Sequence, residues 1–126
     1  MKKLMSISGA RPARAPFHYT MTCLEDVWLV NGFAIEHTCY GEGVRIEDVD
    51  GLHRALARAI VSDKMPMDER EVLFLRKLMS LSQDDLARLL GCSGQLIASW
   101  EEGKAAIDPF AERLYRMLAR EWLGDV

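Results

Sequence analysis

Leu81-Ser82-Gln83-Asp84-Asp85-Leu86-Ala87-Arg88-Leu89-Leu90-Gly91-Cys92-Ser93-Gly94-Gln95-Leu96-Ile97-Ala98-Ser99-Trp100-Glu101-Glu102-Gly103 is the stretch whose reading decides the fold. Ser82 with Asp85 three residues on has the form of a capping box, and Leu86, Leu89 and Leu90 follow at helical spacing. Gly91 stops that helix. Ser93 then caps a second one carrying Leu96, Ile97 and Trp100, and Gly103 stands where a C-terminal glycine ends a helix. Two short helices joined by a glycine turn cross steeply. The crossing needs a small residue, Ala87, and an apolar wedge, Leu86, Leu90, Ile97 and Trp100, to set its angle.

Helices continue on both sides of this stretch. Upstream, Asp68 is a cap for a helix with Val72, Leu75, Leu78 and Met79 on one side. Downstream, Asp108-Pro109 opens a last amphipathic helix through Leu114, Met117, Leu118 and Trp122, with proline where its missing N–H costs nothing. Before Pro66 the pattern changes. Ser62-Asp63-Lys64-Met65-Pro66 is rich in turn formers, and proline disfavours helical geometry at Met65, so a domain boundary is expected there.

The first half reads as a small β unit, residues 17–64. Val27-Trp28-Leu29-Val30 and Phe33-Ala34-Ile35-Glu36-His37-Thr38 flank Asn31-Gly32, the dipeptide preferred in a type I′ hairpin. Short strands are also expected at Phe17 to Thr20 and, after Gly41-Glu42-Gly43, at Val44 to Ile46. Trp28, Leu29, Phe33 and Ile35 are the expected core. Asp48 or Asp50 then caps a covering helix with Leu52, Ala55, Leu56, Ala59 and Ile60 on one face. Residues 1–16, with Lys2, Lys3, Arg11 and Arg14 and no acid, read as a flexible basic arm. The predicted class is therefore α+β: a β-hairpin unit plus helix, followed by an all-α domain over 66–126.

The glycine-turn stretch closely resembles the Xre or Cro repressor-type helix-turn-helix, L-[ST]-Q-x-x-L-A-x-x-x-G-V-S-x-x-x-I-S-x-W-E-x-G, with Cys92 in place of the valine and Ala98 in place of the second serine. The resemblance implies a lambda-repressor-like domain whose second motif helix enters the major groove. It also implies roles. Gly94, Gln95 and Ser99 would read base edges, and Gln83, Ser93 and Lys104 would contact phosphates. Gln95 has the chemistry for a bidentate pair with adenine, whereas glycine and serine are poor readers, so specificity is expected to be modest or to rest partly on DNA shape.

The layout as a whole, a β-containing unit followed by Glu71-Val72-Leu73-Phe74-Leu75-Arg76-Lys77 and the motif, is similar to the MqsA (YgiT-type) antitoxin and regulator group. That resemblance implies a homodimeric repressor and a cognate toxin as partner. The two CxxC pairs that hold zinc in that group are absent, so zinc is not carried over. His18, Cys23, His37 and Cys39 are two imidazoles and two thiols of the right chemistry for a tetrahedral site, and strand alternation would put His37 and Cys39 on one face. Their spacing matches no standard zinc motif, and no cofactor is expected.

Charge constrains the partners. The net charge is −3, and the residues from 66 onward, with eight basic and eleven acidic side chains, carry all of it. Phosphate neutralisation supplies most non-specific DNA affinity, so binding would have to use a few placed cations. This acidity keeps an alternative open: a protein–protein interaction module in which the N-terminal unit binds a partner through a strand edge and DNA binding is secondary. An enzyme is not expected. Cys23 with His18 or His37 lacks a group to orient the base, and there is no pocket-sized domain. With no apolar run long enough to span a membrane and an odd number of widely spaced cysteines, Cys23, Cys39 and Cys92, the expected location is the cytoplasm.

Overall fold

A computed structural model of the chain describes residues 3–5, 17–63 and 66–124. It divides into two compact units, Met1–Leu56 and Ala57–Val126. The division falls inside a helix, ahead of the boundary expected at Ser62 to Pro66. The class is α+β, with small strands followed by five helices. No helix among the described residues is long and apolar enough to cross a membrane.

The first unit holds β1 (Lys3–Met5), β2 (Phe17–His18), β3 (Val27–Leu29), β4 (Phe33–Thr38), β5 (Gly41–Ile46) and the start of α1 (Val49–Ser62). The Asn31-Gly32 hairpin expectation is overturned. β3 lies at the centre of a three-stranded sheet, parallel to β1 and antiparallel to β2, while β4 pairs antiparallel with β5 instead. Gly32 does take a positive φ of 75°, but Asn31 is buried and the dipeptide passes the chain from one sheet to another. The hairpin turn is at Cys39-Tyr40. There Thr38 Oγ1 accepts from Tyr40 N at 3.2 Å and donates to Gly41 O at 2.8 Å, and Gly41 supplies the positive φ, 113°. A glycine after the turn does the work expected of one within it.

Two further corrections concern this unit. Lys3–Met5 pair with β3, so the expected flexible arm is not continuous over 1–16; its other residues lie outside those described. Of the expected core, Leu29 is buried and Trp28 and Phe33 are half-buried, but Ile35 is 47% exposed. Tyr19, Leu24, Val27, Leu52 and Leu56 are buried in its place. Asp48, of the two candidate caps, opens α1, its Oδ1 accepting from Gly51 N at 2.9 Å.

The second unit contains the end of α1, then α2 (Glu69–Leu78), α3 (Gln83–Leu90), α4 (Gly94–Glu101) and α5 (Pro109–Leu123). Each of the last four starts on a side-chain cap: Asp68, Ser82, Ser93 and Asp108. Asp68 and Ser82 form full capping boxes, with Glu71 and Asp85 reaching back to the cap N–H. Ile60, Val61, Met67, Val72, Phe74, Leu75, Leu86, Ile97, Trp100, Tyr115, Ala119 and Leu123 are buried. Tyr115, fully buried, donates from its hydroxyl to Val72 O at 2.7 Å, so its one polar group is satisfied.

Two arginines of α5 reach the end of α1. Arg116 donates to Ile60 O and to Glu112 Oε1, and Arg120 donates to Val61 O at 2.9 Å. Those carbonyls belong to the last turn of α1, which has no basic residue of its own. Cations there add donors to the last carbonyls of the helix and complement its dipole. α5 buries one stripe of its apolar residues and leaves another exposed. Tyr115, Ala119 and Leu123 face inward, whereas Leu114, Met117 and Trp122 are exposed.

Candidate nucleic-acid interface

α3 and α4 carry the candidate interface, and their local sequence explains their placement. Gly91 ends α3 in the left-handed conformation, φ 73°, and its N–H bonds to Ala87 O. Cys92 N donates to the same carbonyl at 2.9 Å. Ser93 Oγ then accepts from Leu96 N at 3.2 Å to start α4. Leu86, Ala87, Ile97 and Trp100 are all buried, as a wedge between crossing helices must be. Leu90 is half-buried and Gly91 exposed, while Leu89 and Leu96 are exposed.

A polar network locks the pair of helices onto α2. Arg76 donates to Glu101 through Nε at 2.6 Å and Nη2 at 2.9 Å, and through Nη1 to Leu81 O at 3.0 Å. Gln83 Nε2 donates to Glu101 Oε1 at 3.0 Å. The ion pair is largely withdrawn from water, with Arg76 14% and Glu101 6% exposed. Hydrogen bonding to Glu101 holds the Arg76 pKa above its already high ordinary value, so the cation is permanent. Glu101 is an acid at the end of the helix that carries the candidate base readers. It faces Arg76. The signal was a Glu directly after the buried Trp100, at a position facing back into the unit.

The six residues assigned to DNA by resemblance fall into distinct settings. Gln95 is exposed and Ser99 half-buried, one turn apart on α4. Gly94 opens that helix. Ser93 is exposed; its oxygen is used as a cap, and its hydroxyl proton is still a donor. Lys104 is exposed but pairs with Glu102 Oε2 at 2.8 Å, which raises its pKa. Gln83 is half-buried and is shared with Glu101. Arg88, close by on α3, pairs with Asp85 at 2.7 Å. The cations of this face are therefore few and already neighboured by acids.

Two features went unforeseen. A groove of roughly 500 Å³ runs between α4 and the start of α5, lined by Leu90, Cys92, Leu96, Trp100, Phe110 and Leu114, with Phe110 82% exposed on its rim. Burial raises the Cys92 thiol pKa, so that cysteine is a small apolar group here, as the valine it replaces would be. The other feature is Asp84, whose carboxylate stands directly over Gly94 Cα.

The histidine and cysteine set of the first unit is dispersed. His18, in β2, stacks on Trp28 at 4.5 Å and its Nε2 lies 2.6 Å from Glu25 O. His37 is in β4 beside Glu42, and Cys39 is in the turn beyond that strand, so the two do not share a strand face as alternation suggested. Among the described residues no group of three or more His, Cys, Asp or Glu is placed to hold a metal ion.

No curated protein and no solved structure matches the chain. Residues 74–111, from Phe74 in α2 through α3 and α4 to Ala111 in the first turn of α5, match the family model described as helix-turn-helix, which indicates a DNA-binding regulator.

Proposed function

We propose that the protein is a sequence-specific DNA-binding transcriptional repressor that acts as a homodimer. One observation carries this reading: α4 is buried along Ile97 and Trp100 and presents Gln95 to solvent, with Ser99 half-buried one turn on, between the Ser93 cap and Lys104. In this reading α4 enters the major groove, where Gln95 pairs with adenine N6 and N7 and Ser99 makes a tolerant contact. Gln83, Ser93 and Lys104 contact flanking phosphates and set the register. The exposed Phe110, Leu114, Met117 and Trp122 supply apolar surface for a second copy, which two-fold half-site recognition needs. Leu123, buried, takes no part.

Fluorescence anisotropy with DNA from upstream of the protein's own gene tests this. Wild type should bind with a salt-dependent affinity, and Gln95→Ala should lose discrimination while keeping non-specific binding. A folded protein with no salt-sensitive binding to that DNA or to a random library would end the proposal.

A second reading, an antitoxin or interaction module whose first unit binds a protein, is favoured by the β4–β5 ribbon. Ile35 and Val44 pair across it, both exposed, and Tyr40 at its tip is 97% exposed. Co-purification with the product of an adjacent gene, abolished by Ile35→Lys with Val44→Lys, is the expected outcome; a first unit that retains no partner would count against it.

A further inference from the structure

Gly94 lacks a side chain at the first position of α4, and the space that one would take is filled from α3. A Cβ built on Gly94 would fall onto Asp84 Oδ1, closer than any real contact, and 3.5 Å from Asp84 Cγ. Asp84 sits in the first turn of α3 and is exposed; among the described residues no Lys, Arg or His forms an ion pair with it, unlike its neighbour Asp85, which pairs with Arg88. A carboxylate thus occupies the position of the missing side chain.

We propose that Asp84 is a specificity-determining residue, reading through the gap at Gly94 and selecting cytosine at the base pair next to the one read by Gln95. The inference rests on the DNA-binding reading given above. An ionised carboxylate only accepts hydrogen bonds. In the major groove cytosine offers the N4 amino donor, whereas guanine offers two acceptors, N7 and O6, and repels it. Asp84 and Gln95 then act as adjacent readers with complementary chemistry, one acceptor-only and one mixed. The same charge opposes phosphate, so it lowers affinity for every sequence while sharpening the choice among them.

Selection from a random DNA library with full-length wild type and Asp84→Ala, Asp84→Asn and Asp84→Glu is the test. Wild type should enrich a motif with cytosine at one position in each half-site. Asp84→Ala should lose at least about fivefold of that preference at that position alone, with the rest of the motif unchanged and affinity for random DNA increased. Asp84→Glu should retain cytosine, and Asp84→Asn, which can donate, should admit guanine or thymine. An identical motif for wild type and Asp84→Ala, both shown folded by circular dichroism, overturns the inference and leaves the DNA-binding reading standing. A wild type that selects no motif removes both.

Discussion

Glu101→Ala should unfold the second unit far more readily than its place at the end of a short surface helix suggests. The substitution leaves the Arg76 guanidinium in position, 14% exposed, without the carboxylate that accepts at 2.6 and 2.9 Å, and deprives Gln83 of its acceptor at 3.0 Å. Removing one partner of a buried ion pair costs about 3–5 kcal/mol, and the residual access of water to Arg76 argues for the lower end, about 3 kcal/mol. A loss of 1 kcal/mol moves the midpoint of a domain of 60–100 residues by about 4–8 °C, so Tm should fall by at least ~12 °C. Thermal and urea melts followed at 222 nm measure this directly. The double variant Arg76→Met with Glu101→Leu should recover most of the loss, because both charges leave together. A Tm for Glu101→Ala within ~4 °C of wild type would show that the pair is solvated and that the helices are held by apolar packing alone.

Further outcomes follow from other sites. His53, in α1, meets the Tyr19 hydroxyl through Nε2 at 2.9 Å, and burial lowers its pKa from 6.5 although Asp50 opposes this. The unfolded chain therefore takes up the proton first as pH falls; stability is constant above about 6.5 and declines below it, and His53→Gln should flatten that decline in urea titrations from pH 5 to 8. Ser80 ends α2 at φ 57°, so Ser80→Gly should stabilise by about 0.5–1 kcal/mol; a loss on chemical denaturation would mean that Ser80 makes compensating contacts. Lys104→Ala should reduce the slope of log K against log salt by about 1 per protomer without changing sequence preference, and an unchanged slope would place Lys104 away from phosphate.

Helical regions were legible where local chemistry decides. Ser82 with Asp85, Ser93, Asp108-Pro109 and the glycines at 91 and 103 act within one turn of chain, and each marks the boundary it was expected to mark. The end of α2 carries no such mark, since Ser80 adopts a glycine-like conformation. Strand pairing was misread because Asn31-Gly32 has a turn's chemistry without a turn's neighbours: the partner of β3 is set by long-range pairing with β1 and β2, which no dipeptide encodes. In α5, Leu114, Met117 and Trp122 are more apolar than Ala119, yet the inward stripe is that of Tyr115, whose hydroxyl finds Val72 O, and residue type alone does not say so. At the candidate site, Leu86, Ala87, Ile97 and Trp100, which are buried, stand out by type and spacing, whereas Glu101 meets Arg76 across 25 residues and Asp84 meets Gly94 between helices.

Arg116 and Arg120 bear on which piece of this protein is portable. The matched stretch ends at residue 111, and a fragment begun at Pro66 would keep every helix of the motif. It would also discard Ile60 and Val61, leaving two guanidinium groups of α5 with no backbone oxygen to close on. Gene shuffling or domain grafting that cuts at Pro66 should thus yield a loosened α5, and a transplant that begins at the Asp48 cap should not.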